Sequence, residues 1–121
     1  MERDLKQRTK KFALRIIKLY SALPRRGDAQ ILGNQILKSG TSVGAHYREA
    51  CRGKSDADFI SKIEGALQEL DETSYWLELI GEAGILKGKR LEPLMQEAEE
   101  LTAILVTVVK NVKRRGRQRV K

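Results

Sequence analysis

Apolar side chains recur along this chain every three or four residues, in four blocks separated by short breaks. That is the 3.6-residue turn of an α-helix, and no stretch alternates with the period of two that a half-buried strand shows. The first block predicts a helix over about Arg3 to Ala22, with Leu5, Phe12, Ile16, Leu19 and Leu23 on one face. Pro24 stops it, because proline has no amide donor and disfavours a helical residue before it. The second helix runs from Asp28, a candidate N-cap, to about Cys51, and turns Leu32, Ile36, Ser39, Gly40, Val43, Tyr47 and Ala50 inward. Gly53 suits the position just past that helix, and Ser55 with Asp58 resembles a capping box. The third helix is therefore predicted over about Asp56 to Ala83. Its seam is Phe59, Ile63, Ala66, Leu67, Leu70, Ser74, Leu77 and Ile80, and Gly84 ends it. After a loop at Lys87-Gly88-Lys89-Arg90, Pro93 fits the first turn of a fourth helix. Its stripe is Leu91, Leu94, Ala98, Leu101, Leu105, Val108 and Val112.

Four amphipathic helices joined by short loops predict an all-α fold, an antiparallel up-down-up-down four-helix bundle. With 121 residues the chain is one domain, long enough for a core that needs no metal or disulfide. The bundle is expected over residues 1–113. Beyond it, Arg114 to Lys121 shows no apolar period and reads as a flexible basic tail.

Two glycines inside the second helix cost about 1 kcal/mol each relative to alanine. Gly40 and Gly44 are four apart and open one face, so the missing side chains admit either a neighbouring helix or a ligand. Packing within the bundle is the simpler reading. Glu49, near the end of that helix, suits a structural ion pair or a cap. On the first helix Ala13, Ile17 and Tyr20 widen the apolar face beyond what one core seam needs, so they are expected at a subunit contact.

Charge refines this picture. The net charge is +8, and it is segregated. Residues 1–27 hold nine Lys or Arg against two acids, residues 55–86 hold one against eight, and residues 113–121 hold six against none. A chain basic at both ends and acidic in the middle suits a polyanionic partner, a charge-paired assembly, or both. Arg8, Lys11, Arg15 and Lys18 are spaced three, four and three apart and align along one edge of the first helix. Together with Arg25 and Arg26 in the turn, and Arg114, Arg115, Arg117 and Arg119 in the tail, they are the candidate contacts to nucleic-acid phosphates. Such recognition is electrostatic and weakly selective for sequence.

Candidate catalytic chemistry is sparse. His46 is the one histidine and Cys51 the one cysteine, about 140° apart around the same helix, so they do not converge. One of each is too few for a structural zinc site, and the Glu-x-x-His pairs of a di-iron bundle are missing. No phosphate-binding glycine loop is present. The reading is of a non-enzyme without metal or cofactor. A single cysteine excludes an internal disulfide. With no secretory signal and no apolar run near 18 residues, the expected compartment is the cytoplasm and no membrane is involved.

Several ordered blocks carry a family resemblance. They are Ser39-Gly40-Thr41-Ser42-Val43-Gly44-Ala45-His46-Tyr47-Arg48-Glu49-Ala50, then Lys54-Ser55-Asp56-Ala57-Asp58-Phe59-Ile60, Ala66-Leu67-Gln68-Glu69-Leu70 and Glu72-Thr73-Ser74-Tyr75-Trp76-Leu77. They resemble the bacterial four helix bundle protein family, whose first known members are encoded in intervening sequences of large-subunit ribosomal RNA genes. The family pattern usually has Asn where this chain has His46. The resemblance implies an antiparallel bundle that assembles into a ring, commonly a homopentamer, with no catalytic activity. A related group, the accessory proteins of diversity-generating retroelements, is basic and pentameric and binds nucleic acid and a reverse transcriptase.

Two functions follow as expectations. One is an oligomeric nucleic-acid-binding bundle, with RNA as the ligand. The other is an oligomeric adaptor that docks a protein such as a polymerase or reverse transcriptase, its charge serving assembly.

Overall fold

The computed structural model of the chain describes residues 2–120, with side-chain surroundings described for residues 4–118. Four helices follow in order: α1 (Glu2–Ala22), α2 (Gly27–Cys51), α3 (Asp56–Glu82) and α4 (Gly88–Val120). Each packs on its neighbours in sequence, and α4 closes back beside α1. This is the up-down-up-down bundle.

The seams alternate steps of three and four residues, the signature of helices crossing at a shallow angle. On α1 the buried line is Leu5, Thr9, Phe12, Ile16 and Leu19. Thr9 fills the gap the apolar pattern leaves, because its hydroxyl donates to the Leu5 carbonyl at 2.7 Å and so buries no unpaired polar group. On α3 the seam passes through Thr73 instead of the expected Ser74. The reason is a partner across the helix pair: the Thr73 and Ser39 hydroxyls are hydrogen-bonded 2.8 Å apart in the core. On α4 Val109 joins the buried line.

The glycine-rich face of α2 is used for packing against α1. A Cβ at Gly40 would lie 2.7 Å from Ile16 Cγ1, and one at Gly44 would lie 3.2 Å from Thr9 Oγ1. Gly33 continues the face, with the Tyr20 ring and the Leu23 side chain over it. The two backbones come this close because α2 has no side chains between them.

Helix ends account for the remaining differences. Ser55 caps α3 as expected, its hydroxyl accepting from the Asp58 amide at 3.0 Å. Asp28 does not cap α2. That helix begins at Gly27 with Arg26 as N-cap, and the Asp28 carboxylate accepts instead from the Ala29 amide at 2.8 Å. There it still favours the positive helix end. Gly84 has φ +72, and the Ile85 and Gly84 amides donate to the Ile80 and Gly81 carbonyls at 3.0 and 3.1 Å. This is a Schellman end, with Ile80 and Ile85 both buried. Gly53 is different: its φ is not positive, and it serves close approach, a Cβ there falling 3.0 Å from the Ala50 carbonyl.

The loop expected at Lys87-Gly88-Lys89-Arg90 is already helical from Gly88, so Pro93 lies inside α4 instead of in its first turn. The larger correction concerns the C-terminus. Residues 114–120 are not an irregular tail; they continue α4. Arg, Lys and Gln are good helix formers, and cations near a helix C-terminus meet a favourable dipole, so helix persists without an apolar stripe. Among the described residues no helix is long and apolar enough to cross a membrane.

Two substitutions test these contacts. Gly40→Ala gains about 1 kcal/mol of helix propensity, yet it is expected to destabilise by about 1–3 kcal/mol through the Ile16 clash, read as a lower midpoint in denaturant. Gly27→Ala, where nothing lies within 4 Å, is the neutral control. Gly84→Ala is expected to cost about 1 kcal/mol, since a Cβ disfavours positive φ.

Candidate nucleic-acid interface

The cationic edge of α1 lies alongside α4, which runs antiparallel to it and sets the fate of each residue. Arg8 meets Glu97 and Glu100. Its Nε donates to Glu97 Oε2 at 2.8 Å, and its Nη2 donates to Glu97 Oε1 at 2.9 Å and to Glu100 Oε1 at 2.6 Å. Gln96 Nε2 holds the other Glu100 oxygen at 3.1 Å. The hydrogen bond to Glu97 raises the Arg8 pKa well above its ordinary value, with Glu100 adding to the effect. The hydrogen bond from Gln96, then that from Arg8, holds Glu100 below its usual 4.5. Arg8 is thus a clamp between α1 and α4, the two adjacent helices that pack least closely, and its charge is spent within the chain.

Two turns further along α1 the same register brings cations together. Arg15, Lys18 and Leu19 of α1 face Arg90, Pro93 and Leu94 of α4 around a surface recess of about 330 Å³. Arg15, Lys18 and Arg90 are exposed, and none makes an ion pair among the described residues. Arg90 is an addition to the residues that sequence spacing picks out. The signal for it lies in the register: with Arg8 opposite Glu97, seven residues onward on α1 is seven residues back on α4, which sets Arg15 opposite Arg90. Lys11, between the clamp and the recess, is exposed.

Arg25 and Arg26 lie at the same end of the bundle, in the α1–α2 turn. Arg25 lines a recess of about 520 Å³ with Tyr20, Ser21 and Pro24. Arg26 Nε is held by Asp28 Oδ1 at 3.0 Å.

The remaining candidates lie at the opposite end. Arg114 and Arg117 share the outer face of α4 with Lys110 and Lys113, around an open recess of about 530 Å³. The pattern, i, i+3, i+4, i+7, is that of one helix face. Lys110 and Lys113 escape any reading that sets the basic segment apart as a tail. Lys113 lies 3.8 Å from Glu64, a loose pairing. Arg115 turns to a different notch, of about 500 Å³, shared with Cys51, Lys54, Phe59 and Val112. The Arg119 side chain and Lys121 lie outside the described residues. Arg90 and Lys110 are twenty residues apart on one helix, so roughly 30 Å separates the two cationic ends.

Three other residues singled out by sequence have partners within the chain. Glu49 pairs with Lys62 of α3 at 3.4 Å. His46 packs over Gly65 and places Nε2 3.5 Å from Glu69, with Nδ1 buried and unbonded. Tyr20 lies over Gly33 and donates to Asn34 Oδ1 at 3.3 Å. Of the expected subunit contacts, Ala13 and Tyr20 are half-buried and Ile17 is 44% exposed. Among the described residues no three His, Cys, Asp or Glu side chains gather as a metal site.

A family model described as 23S rRNA-intervening sequence protein matches residues 1–107. The chain is also similar to a protein of unknown function from the S23 ribosomal protein family of Bacteroides thetaiotaomicron VPI-5482, known from a crystal structure. Identity is 37%, the match covers 90% of this chain and 97% of that one, and the TM-score is 0.85. No curated protein matches the chain.

The clamp makes a stability prediction with a definite sign. Arg8→Ala is expected to cost about 1 kcal/mol, the upper end for a partly exposed ion pair. Glu100 has a lower pKa folded than unfolded, so its share is fully present above pH 4.5 and is lost as pH falls through the lowered folded value. Denaturant midpoints of wild type and variant should therefore differ most near neutral pH and by less in acid.

Proposed function

The chain belongs to the 23S rRNA-intervening sequence protein family, and from that membership we propose that it is a non-enzymatic nucleic-acid-binding bundle, acting on RNA in the cytoplasm as a homo-oligomer. One observation carries this reading: Arg15, Lys18 and Arg90 converge on one recess and make no ion pair among the described residues, while Arg8 beside them is held by Glu97 and Glu100. Three cations on the rim of a shallow depression suit a phosphate backbone, which supplies charge at regular intervals and needs no deep pocket. Arginine forks add directed hydrogen bonds to phosphate oxygens. The outer face of α4, with Lys110, Arg114 and Arg117, offers a second phosphate-binding surface at the far end.

A single recess binds weakly. Assembly into a ring, a pentamer in the family resemblance, repeats the recess around one rim and raises avidity without a new contact. The catalytic requirement is nil in this reading, and no cofactor enters it.

Binding to single-stranded RNA, followed by fluorescence anisotropy across salt concentrations, tests the proposal. Wild type should weaken steeply with salt. Replacing Arg15, Lys18 and Arg90 together by alanine should flatten the log–log slope by roughly 0.7 for each phosphate that is no longer neutralised. Arg8→Ala should leave the slope unchanged. A wild-type affinity that does not respond to salt would remove the proposal. Copurified RNA that disappears on nuclease treatment, with no protein left behind, separates it from the adaptor reading.

A further inference from the structure

The recess of Arg15, Lys18 and Arg90 has a neighbour of different chemistry. At the α1–α2 turn, Tyr20, Ser21, Leu23, Pro24, Arg25 and Gln30 line a recess of about 520 Å³. That lies within the size range of sites that take a small organic group. Its lining holds a single charge, the Arg25 guanidinium. Arg25 is exposed and makes no ion pair among the described residues. No carboxylate lines the recess.

The other side chains supply an aromatic ring and hydrogen-bonding groups. The Tyr20 ring is placed by its packing over Gly33 and by its hydroxyl, which donates to Asn34 Oδ1 at 3.3 Å. The Ser21 hydroxyl donates to the Ile17 carbonyl at 3.1 Å, so its oxygen can still accept. Gln30 is exposed, and an amide side chain both donates and accepts. A fixed ring, an adaptable amide and one cation around a shared recess are the groups that recognise a base joined to a phosphate.

We propose that this recess seats one unpaired RNA base, next to the recess that takes the phosphates. Tyr20 offers the base its ring, Gln30 and Ser21 meet its polar edge, and Arg25 meets the phosphate of the same nucleotide. A base inside a duplex is already stacked, and its pairing edge is occupied. The substrate class is therefore RNA with unpaired nucleotides: single strands, loops and bulges. One strand reaches both recesses. Lys18 on the rim of the first and Ser21 on the rim of the second are three apart on α1, with about 5–6 Å between their Cβ atoms. Tyr20 is thereby assigned to the ligand, and Ala13 and Ile17 remain for a subunit contact. This inference rests on the RNA-binding reading. It adds a dependence on bases that charge alone does not give.

Two labelled RNA strands of equal length test it, one natural and one whose sugars carry no bases, so that both present the same phosphates. By fluorescence anisotropy at one salt concentration, wild type should bind the natural strand tighter than the abasic one by about fivefold or more, the effect of one stacked base. Tyr20→Leu should cut that difference to about twofold or less and leave the salt slope unchanged, because no phosphate contact is lost. Tyr20→Phe, which loses the Asn34 hydrogen bond but keeps the ring, should retain the difference. Gln30→Ala, at an exposed position, should narrow it, and this variant decides the matter if Tyr20→Leu loses helical content. Equal wild-type affinity for the two strands overturns the base seat while the phosphate reading stands. So does a difference that survives in the folded variants Tyr20→Leu or Gln30→Ala. Binding to neither strand overturns the seat and the RNA reading together.

Discussion

The close approach of α1 to α2 is the contact on which the rest of the arrangement depends. Ile16 sits over Gly40, Thr9 over Gly44, and Tyr20 with Leu23 over Gly33. A side chain at Gly40 would run into the branched Ile16 side chain, whereas at Gly44 and Gly33 the Thr9 and Leu23 side chains would have to give way. The contact fits the rotation of α1 about its axis that buries its apolar line. That rotation turns Phe12 and Ile16 into the core, points Arg8 and Arg15 toward α4, and leaves Leu14 and Ile17 facing outward. The glycine face and the charged edge are thus two sides of one helix orientation.

The α1–α4 seam shows the consequence. The backbones of these two helices lie further apart than those of the other adjacent pairs, and a part-buried guanidinium fork spans the gap. An exposed ion pair contributes little, but one cation shared by two carboxylates and backed by Gln96 is geometrically fixed. Fixing Arg8 opposite Glu97 sets the register of the whole seam, and Arg15 then meets Arg90 instead of an acid. Neutralisation at one level and accumulation of charge two turns away are two results of one alignment. The same bundle that hides its apolar side chains thus keeps like charges together at one end of this seam.

How far the sequence can be read differs by level. The four helices, the Ser55 cap, the Gly84 end and nearly every seam residue follow from the three-and-four spacing of apolar side chains, because burial depends on that period alone. The pattern misleads where a polar residue is buried with a partner. Thr9 and Thr73 look misplaced in an apolar stripe until their hydrogen bonds are known. The basic C-terminal segment lacks a stripe and so reads as irregular, although helix propensity suffices to extend α4 through it.

The sequence by itself determined which residues are apolar, how often they recur, and that positive charge collects toward both ends of the chain. Those are properties of one helix at a time, and a 3.6-residue period reports them fully. Only the tertiary structure decided which cations are free. Arg8, Arg15 and Lys18 are indistinguishable along their shared edge, yet Arg8 is held by Glu97 and Glu100 while the other two gather with Arg90. The difference lies in the partner helix and its register, with Glu97 and Glu100 lying 89 and 92 residues from Arg8 along the chain. Electrostatic pairing depends on distance in space, and no local pattern encodes it.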